Sequence, residues 1–211
     1  MYHVYNIEEH QVSPEKLILK SPNKNIPNLD MIPGSIFLHR AELKLSMISG
    51  REMVLQGFID DNRAFFESNY DYILIDTNPS MSIVNQNAFL VSDSIVLVSD
   101  VSMNAIEGSQ LFMALWEASR RRLKKENNVK AFVINDFDRR NKLSRDFLDF
   151  LQTSEELSDI REIKMNTIIP RNIKITESEL AAIPISLYDI HSKGCEAISL
   201  LIEEFLSKGI L

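Results

Sequence analysis

"YDYILIDTNPSMSIVNQNAFLVSDSIVLVSD", Tyr70 to Asp100, decides the fold. "YILID" (Tyr72–Asp76) and "SIVLVS" (Ser94–Ser99) are continuous apolar runs, the composition of strands buried on both faces of a parallel sheet. Between them Ile83, Val84, Ala88, Phe89 and Leu90 recur at helical spacing. Strand, helix and strand within about 30 residues make a βαβ unit. Upstream, the pattern predicts a short strand at Leu29–Pro33 and helices over Ser35–Met47 and Arg51–Glu67. Downstream it predicts a helix at Ala105–Lys125, a strand at Val129–Asp136 and a helix at Leu143–Gln152. A strand near Ile163–Ile169 and a helix at Ser192–Lys208 close the chain. The expected fold class is α/β: a doubly wound, mostly parallel sheet with helices on both faces.

At 211 residues the chain suffices for one domain with its own core, and 45% hydrophobic against 25% charged residues argue against disorder. The first 28 residues read as an irregular lead-in, with "SPNKNIPN" (Ser21–Asn28) carrying loop composition. "MYHVYNIEEHQ" lacks the basic start and apolar core of a signal peptide, and no apolar run approaches the roughly 20 residues of a membrane span. A single cysteine excludes an internal disulfide and fits a reducing cytoplasm. The net charge of −7 argues weakly against a surface coated in nucleic acid, but leaves room for local basic patches. Two such clusters stand out, "RRRLKK" (Arg120–Lys125) and the group Arg139, Arg140, Lys142 and Arg145.

Strand ends at the carboxyl edge of an open parallel sheet form its ligand crevice. Asp76, after Ile73–Ile75, therefore has the form of a carboxylate that holds Mg²⁺ beside a nucleotide, or alternatively of a helix cap or a strand-end turn former. "TNPS" after it forces a tight turn, and Ser80 is expected to cap the next helix.

In this order, the motifs resemble the ParA/MinD (Soj-like) family of chromosome and plasmid partition ATPases. Tyr70–Ser80 is similar to the family's "YDYIIIDTPPS", Asn87–Phe89 to its "NAL" segment and Ala105–Gly108 to "ALEG". "INDFDRRNKLS" (Ile134–Ser144), "IIPRNIKITES" (Ile168–Ser178), "YDIHSKGCEA" (Tyr188–Ala197) and "NLDMIPGS" (Asn28–Ser35) continue the likeness along nearly the whole chain. The resemblance implies a P-loop NTPase-like fold of the deviant Walker A class. It implies a single ParA-like domain over residues 1–211, incomplete at its N-terminus, because the family's P-loop, near KGGVGKT, would precede the present start. No GKT or GKS occurs in these 211 residues.

The same resemblance implies ATP and Mg²⁺ as cofactors, with Asp76 meeting the metal through water. Asn78, Pro79, Asn135, Asp136, Pro170 and Arg171 would border the nucleotide, and Arg140, Arg171 and Lys174 would meet non-specific DNA. Strand-end turns and a solvated basic face are the plainer alternatives for these positions, as is a helix-end charge cluster for Arg120–Lys125. His191 and Cys195, four apart, read as structural. Loss of the P-loop strand would leave "ILID" an unpaired apolar edge. The chain would then be a fragment, take a strand from another chain, or repack its early residues into the gap. The implied function is that of a cytoplasmic, nucleoid-associated, bacterial-type partition protein, dimeric, with a centromere-binding ParB-like partner and no membrane role. ATP hydrolysis belongs to the family, while this chain is expected to be inactive alone. The alternative is a degenerate, non-catalytic module that binds DNA or a partner.

Overall fold

The computed structural model describes residues 1–5 and 12–211. The chain divides into two compact units, Met1–Ser92 and Asp93–Leu211.

The second unit is built on a parallel sheet of three strands in the order β1 (Ile95–Ser99), β2 (Val129–Phe137) and β3 (Lys164–Pro170). Alternation along β2 sets up two faces, since successive side chains point to opposite sides. Phe132 and Ile134 face one core with Ile106 of α7 (Met103–Arg122), Phe147 and Leu151 of α8 (Lys142–Thr153), and Ile160 of α9 (Ser158–Ile163). Ala131 and Val133 face the other, against Ala197 of α12 (Lys193–Ser207) and Met165 and Ile169 of β3. Helices thus cover both faces of a central strand that is apolar and buried from Ala131 to Ile134, the doubly wound arrangement. Two short helices, α10 (Ile173–Leu180) and α11 (Ile185–Tyr188), lie between β3 and α12 in the chain.

Caps fix the helix starts. Ser102, Asn141, Asn172 and Ser192 each accept a hydrogen bond from a backbone N–H in the first turn of α7, α8, α10 and α12. The end of α8 is closed by Arg161, whose Nη1 donates to the carbonyls of Gln152 at 2.6 Å and Ser154 at 3.1 Å. Trp116, fully buried on α7, donates its indole N–H to Asn128 Oδ1 at 2.9 Å, which fixes the approach into β2.

The first unit is helical. It contains α1 (Tyr2–Tyr5), α2 (Pro14–Leu17), α3 (Leu38–Leu45), α4 (Val54–Asp61), α5 (Arg63–Asn69) and α6 (Ile83–Val91). Its core gathers Tyr5, Ala41, Leu45 and Leu55, with Ile75, Ile83, Val84 and Val91 packed around them. Asn87 is the polar keystone. Fully buried, it accepts from the Leu55 N–H at 2.9 Å and donates to the carbonyls of Arg51 and Ile83 at 2.7 and 2.8 Å. Each hydrogen-bonding atom of the amide oxygen and nitrogen thus has a partner, as burial of an amide requires.

Several expectations are corrected here. The helix expected over Arg51–Glu67 is broken into a 3₁₀ turn at Arg51–Met53, α4 and α5. The break falls at Asn62, whose side chain donates to the Phe58 carbonyl at 2.8 Å and so competes with the helical ladder. The strand expected at Leu29–Pro33 is a single antiparallel bridge between Leu19 and Met31. Of the lead-in, residues 6–11 lie outside the described residues, and two one-turn helices occupy parts of the remainder.

The largest correction concerns Tyr72–Asp76, which is neither strand nor helix. A strand is stabilised by its partner's backbone, and no ladder exists among the described residues of this unit. Ile75 reaches the core, whereas Tyr72, Ile73 and Leu74 are 57%, 53% and 83% exposed. Among the described residues no early segment forms a ladder with this run, although Ile75 joins the core that contains Tyr5.

Candidate functional site

The expected residues fall in both units. In the first, Asp76 is exposed on an irregular segment and closes no strand. The turn that follows is organised by a residue the sequence did not single out. Asn85, buried on α6, directs its Nδ2 to Asn78 Oδ1 at 2.6 Å, the Asn78 carbonyl at 2.9 Å and the Ser80 carbonyl at 2.8 Å. Ser80 donates to Asn78 Oδ1 at 2.8 Å, so its hydroxyl braces the turn. The cap of α6 is Ser82 instead, accepting from the Asn85 N–H at 3.3 Å. Asn78 thus holds the turn shape, and Pro79 sits exposed within it.

Whether this segment suits Mg²⁺ follows from its donors. Among the described residues no group of three or more His, Cys, Asp or Glu side chains could hold a metal. Asp76 supplies one carboxylate, too little for a stand-alone site. It is compatible with a water-bridged contact to an ion that phosphate oxygens carry, since magnesium keeps several waters.

In the second unit the residues expected from separate motifs meet at the carboxyl ends of β2 and β3. Phe137 pairs with Pro170 across a register shift, and the Arg171 N–H donates to the Phe137 carbonyl at 3.0 Å. Asp136, inside that irregularity, has φ +54°, a left-handed conformation that Asp tolerates better than most residues. Its carboxylate receives both arms of Arg171, Nε at 2.9 Å and Nη2 at 2.6 Å. The Arg171 guanidinium holds the Asp136 carboxyl below its ordinary range, against burial that would raise it. Asn135 projects into solvent beside this pair, and its amide has no hydrogen-bond partner among the described residues. An amide offering a donor and an acceptor together can pair with the edge of a heterocyclic base.

The remaining cations are also matched. Arg140 meets Asp138 through Nε at 3.2 Å and Nη2 at 3.3 Å, and its own N–H donates to Asp138 Oδ1 at 3.0 Å. Lys174 reaches Glu177 at 2.8 Å, and Tyr188 donates to the same carboxylate at 3.1 Å. These partners hold the Asp138 and Glu177 carboxyls below their usual values, Arg140 first for Asp138 and Lys174 first for Glu177. Gly194 on α12 keeps this edge compact, because a Cβ there would lie 2.8 Å from Ile175 Cγ1 of α10. Asp138, Glu177 and Gly194 carried no functional signal in the sequence. Arg120 and Arg121, by contrast, pair with Glu117 at the end of α7, and Arg120 donates to the Lys125 carbonyl at 3.1 Å. That is the helix-end arrangement. Cys195 is buried at the start of α12 and accompanies no metal cluster among the described residues.

A parallel sheet wound by helices on both faces, with polar groups gathered at its carboxyl edge, defines a doubly wound α/β protein. Comparison with known proteins narrows the class. A family model described as an AAA domain matches residues 1–130. The sporulation initiation inhibitor protein Soj of Bacillus subtilis is 30% identical over 185 residues, covering 87% of this chain and 69% of that protein. The chromosome partitioning protein ParA of Caulobacter vibrioides is 28% identical over 184 residues, covering 87% and 66%. Among solved structures, a putative plasmid partition protein of Borrelia burgdorferi bound to AMPPNP superposes with a TM-score of 0.69 at 21% identity, covering 99% of this chain and 73% of that one. The cell division ATPase MinD of Pyrococcus furiosus gives 0.66 at 21%, covering 97% and 75%. The chain belongs to the ParA/MinD-type AAA-domain family, in its P-loop NTPase-like fold. It spans about two-thirds of the length of the two curated relatives.

Proposed function

We propose that this chain is a partition-type protein that meets an adenine nucleotide and non-specific DNA at the carboxyl edge of its sheet. The observation that supports this is the meeting of Asn135, Asp136, Pro170 and Arg171 at the ends of two adjacent parallel strands. Asn135 offers its free amide to the base, while Pro170 and Arg171 border it from the neighbouring strand. Within the first unit, Asp76 is the carboxylate we assign to Mg²⁺ through water by family resemblance, with Asn78 and Pro79 shaping the turn beside it. Magnesium bound there would neutralise phosphate charge, and Asn135, Pro170 and Arg171 orient the base.

The 211 residues are taken as one ParA-like domain whose phosphate grip, a glycine-rich P-loop with its lysine, is not supplied by these residues. ATP turnover by the chain alone is therefore expected at background. In its setting it would serve a plasmid or chromosome as a homodimer with a ParB-like partner, in a cytoplasm and beside the nucleoid. No described helix is long and apolar enough to cross a membrane. The exposed position of Asp76 also favours a second possibility, a non-catalytic module that keeps the DNA and partner surfaces without turnover.

Phosphate release by the purified chain, with and without Asp76→Ala, tests the first part. Equal, background rates are expected, and turnover abolished by Asp76→Ala would refute it. For DNA, affinity that falls steeply with salt and drops in the Arg140→Ala, Arg171→Ala double variant supports the surface. Binding indifferent to both removes it.

A further inference from the structure

The three cations expected to meet DNA share one feature. Each is already engaged by a carboxylate of the same chain: Arg171 by Asp136, Arg140 by Asp138 and Lys174 by Glu177. A carboxylate and a phosphate present the same chemistry to a guanidinium or ammonium, namely two oxygens sharing negative charge at charge-assisted hydrogen-bond distance. We propose that these carboxylates act as built-in competitors for DNA phosphate, so that DNA binds by exchange and the surface is held in a self-restrained state. The inference rests on the DNA surface proposed above and concerns its regulation.

Magnitude decides whether such contacts lock the surface or only tune it. All three pairs are solvent-exposed, with side-chain exposures of 62% and 47% for Arg171 and Asp136, 90% and 22% for Arg140 and Asp138, and 41% and 36% for Lys174 and Glu177. Exposed pairs are weak, equivalent to a factor of about two to five in an equilibrium constant. Release of counterions from DNA outweighs that at low salt, so the carboxylates form a brake that a second phosphate contact can overcome.

The pairs are not equivalent. The Asp136–Arg171 contact is bidentate, joins two strands, and holds a cation whose own N–H is fixed to Phe137. The Lys174–Glu177 contact is a single bond across one helical turn, reinforced on the acid side by Tyr188. The Arg140–Asp138 contact is the longest. Asp136 therefore supplies most of the restraint. Its left-handed backbone is also acceptable to asparagine, so Asp136→Asn removes the charge without a conformational penalty.

The test compares DNA affinity of the full 211-residue chain with that of Asp136→Asn, Asp138→Asn and Glu177→Gln, singly and together, using fluorescently labelled random-sequence duplex at low salt. Expected are a gain of about two- to fivefold for Asp136→Asn, smaller gains for the others, and roughly tenfold for the triple variant. A charge-matched control, Glu156→Gln with Asp159→Asn and Glu162→Gln, changes net charge equally from residues that precede β3 in the chain and lie away from the carboxyl edge. If the control gains as much as the triple variant, only net charge is at work and the inference is overturned. Unchanged affinity in all three single variants also overturns it, while leaving the DNA surface standing so long as Arg140→Ala with Arg171→Ala weakens binding. Failure of that double variant to weaken binding removes the surface, and the inference with it.

Discussion

Two runs of nearly the same composition meet opposite fates. Ile95–Ser99 is the flank of a three-stranded ladder, with Ile95 paired to Val129 and, after a register shift, Val96 to Ser99 paired to Ala131 to Ile134. Tyr72–Asp76, with three aliphatic residues to the other run's four, has no ladder among the described residues and leaves Leu74 83% exposed. Apolar character and β-branching make a segment fit to be a strand, but the strand itself belongs to a pair of segments. The second unit supplies that partner in β2, whereas the described residues of the first leave "YILID" without one.

Core truncation should separate the two regions most strongly. Ile134→Ala, at a residue 1% exposed between β1 and β3, should destabilise the second unit by about 2–5 kcal/mol, read by urea denaturation with Trp116 fluorescence. A cost below about 1 kcal/mol would mean the ladder is not the stabilised half of the comparison.

A smaller effect is expected at Glu204, which seals the outer flank of β3. Its carboxylate accepts from the N–H groups of Asn166 and Thr167 at 2.8 and 2.9 Å and from Lys208 at 2.9 Å. Burial would raise this carboxyl, but those donors outweigh it and hold it at about 2 against an ordinary 4.5. Because the folded value is depressed, the stabilisation is complete above pH 4.5 and is lost as pH falls toward about 2. Glu204→Gln should cost about 1.5–3 kcal/mol at neutral pH and remove that acid step. An unaltered acid transition in the variant would assign the loss to other carboxylates, Asp30 foremost. The Lys20 ammonium, the Tyr70 hydroxyl and the Ser21 N–H hold Asp30 at about 2 in the first unit.

The smallest effect belongs to the unpaired run. Leu74→Ala should change stability by no more than about 0.5 kcal/mol by the same denaturation, because the side chain loses little on leaving a mostly solvent-exposed position. A larger loss would reveal that "YILID" is covered in solution.

How much the sequence disclosed follows the same division. Continuous apolar runs and helical spacing were sufficient for β1, β2, β3, α7, α8 and α12, each within a few residues, because every one packs on an apolar surface that its own pattern displays. α9 and α10 went unread: α9 carries only Ile160 and Ile163 to the core in six residues, and α10 leaves Leu180 86% exposed. The meeting of Asn135 and Asp136 with Pro170 and Arg171 was implied by the family resemblance alone. Their engagement by carboxylates was not, since Asp138 and Glu177 look like ordinary surface acids until the backbone brings them onto their partners. Asn85 was hidden for a similar reason: its role depends on a turn it closes from seven residues downstream, and no spacing rule marks that.

The two amides captured by Glu204 carry a consequence for how the sheet can be extended. With those two N–H groups held by Glu204 of α12, a visiting strand would have to displace that carboxylate to pair along this part of β3. The edge beside Ile95–Ser99, whose only ladder partner is β2 among the described residues, carries no such engagement in the hydrogen bonds of Glu204, so enlargement of this sheet is easier outward from β1.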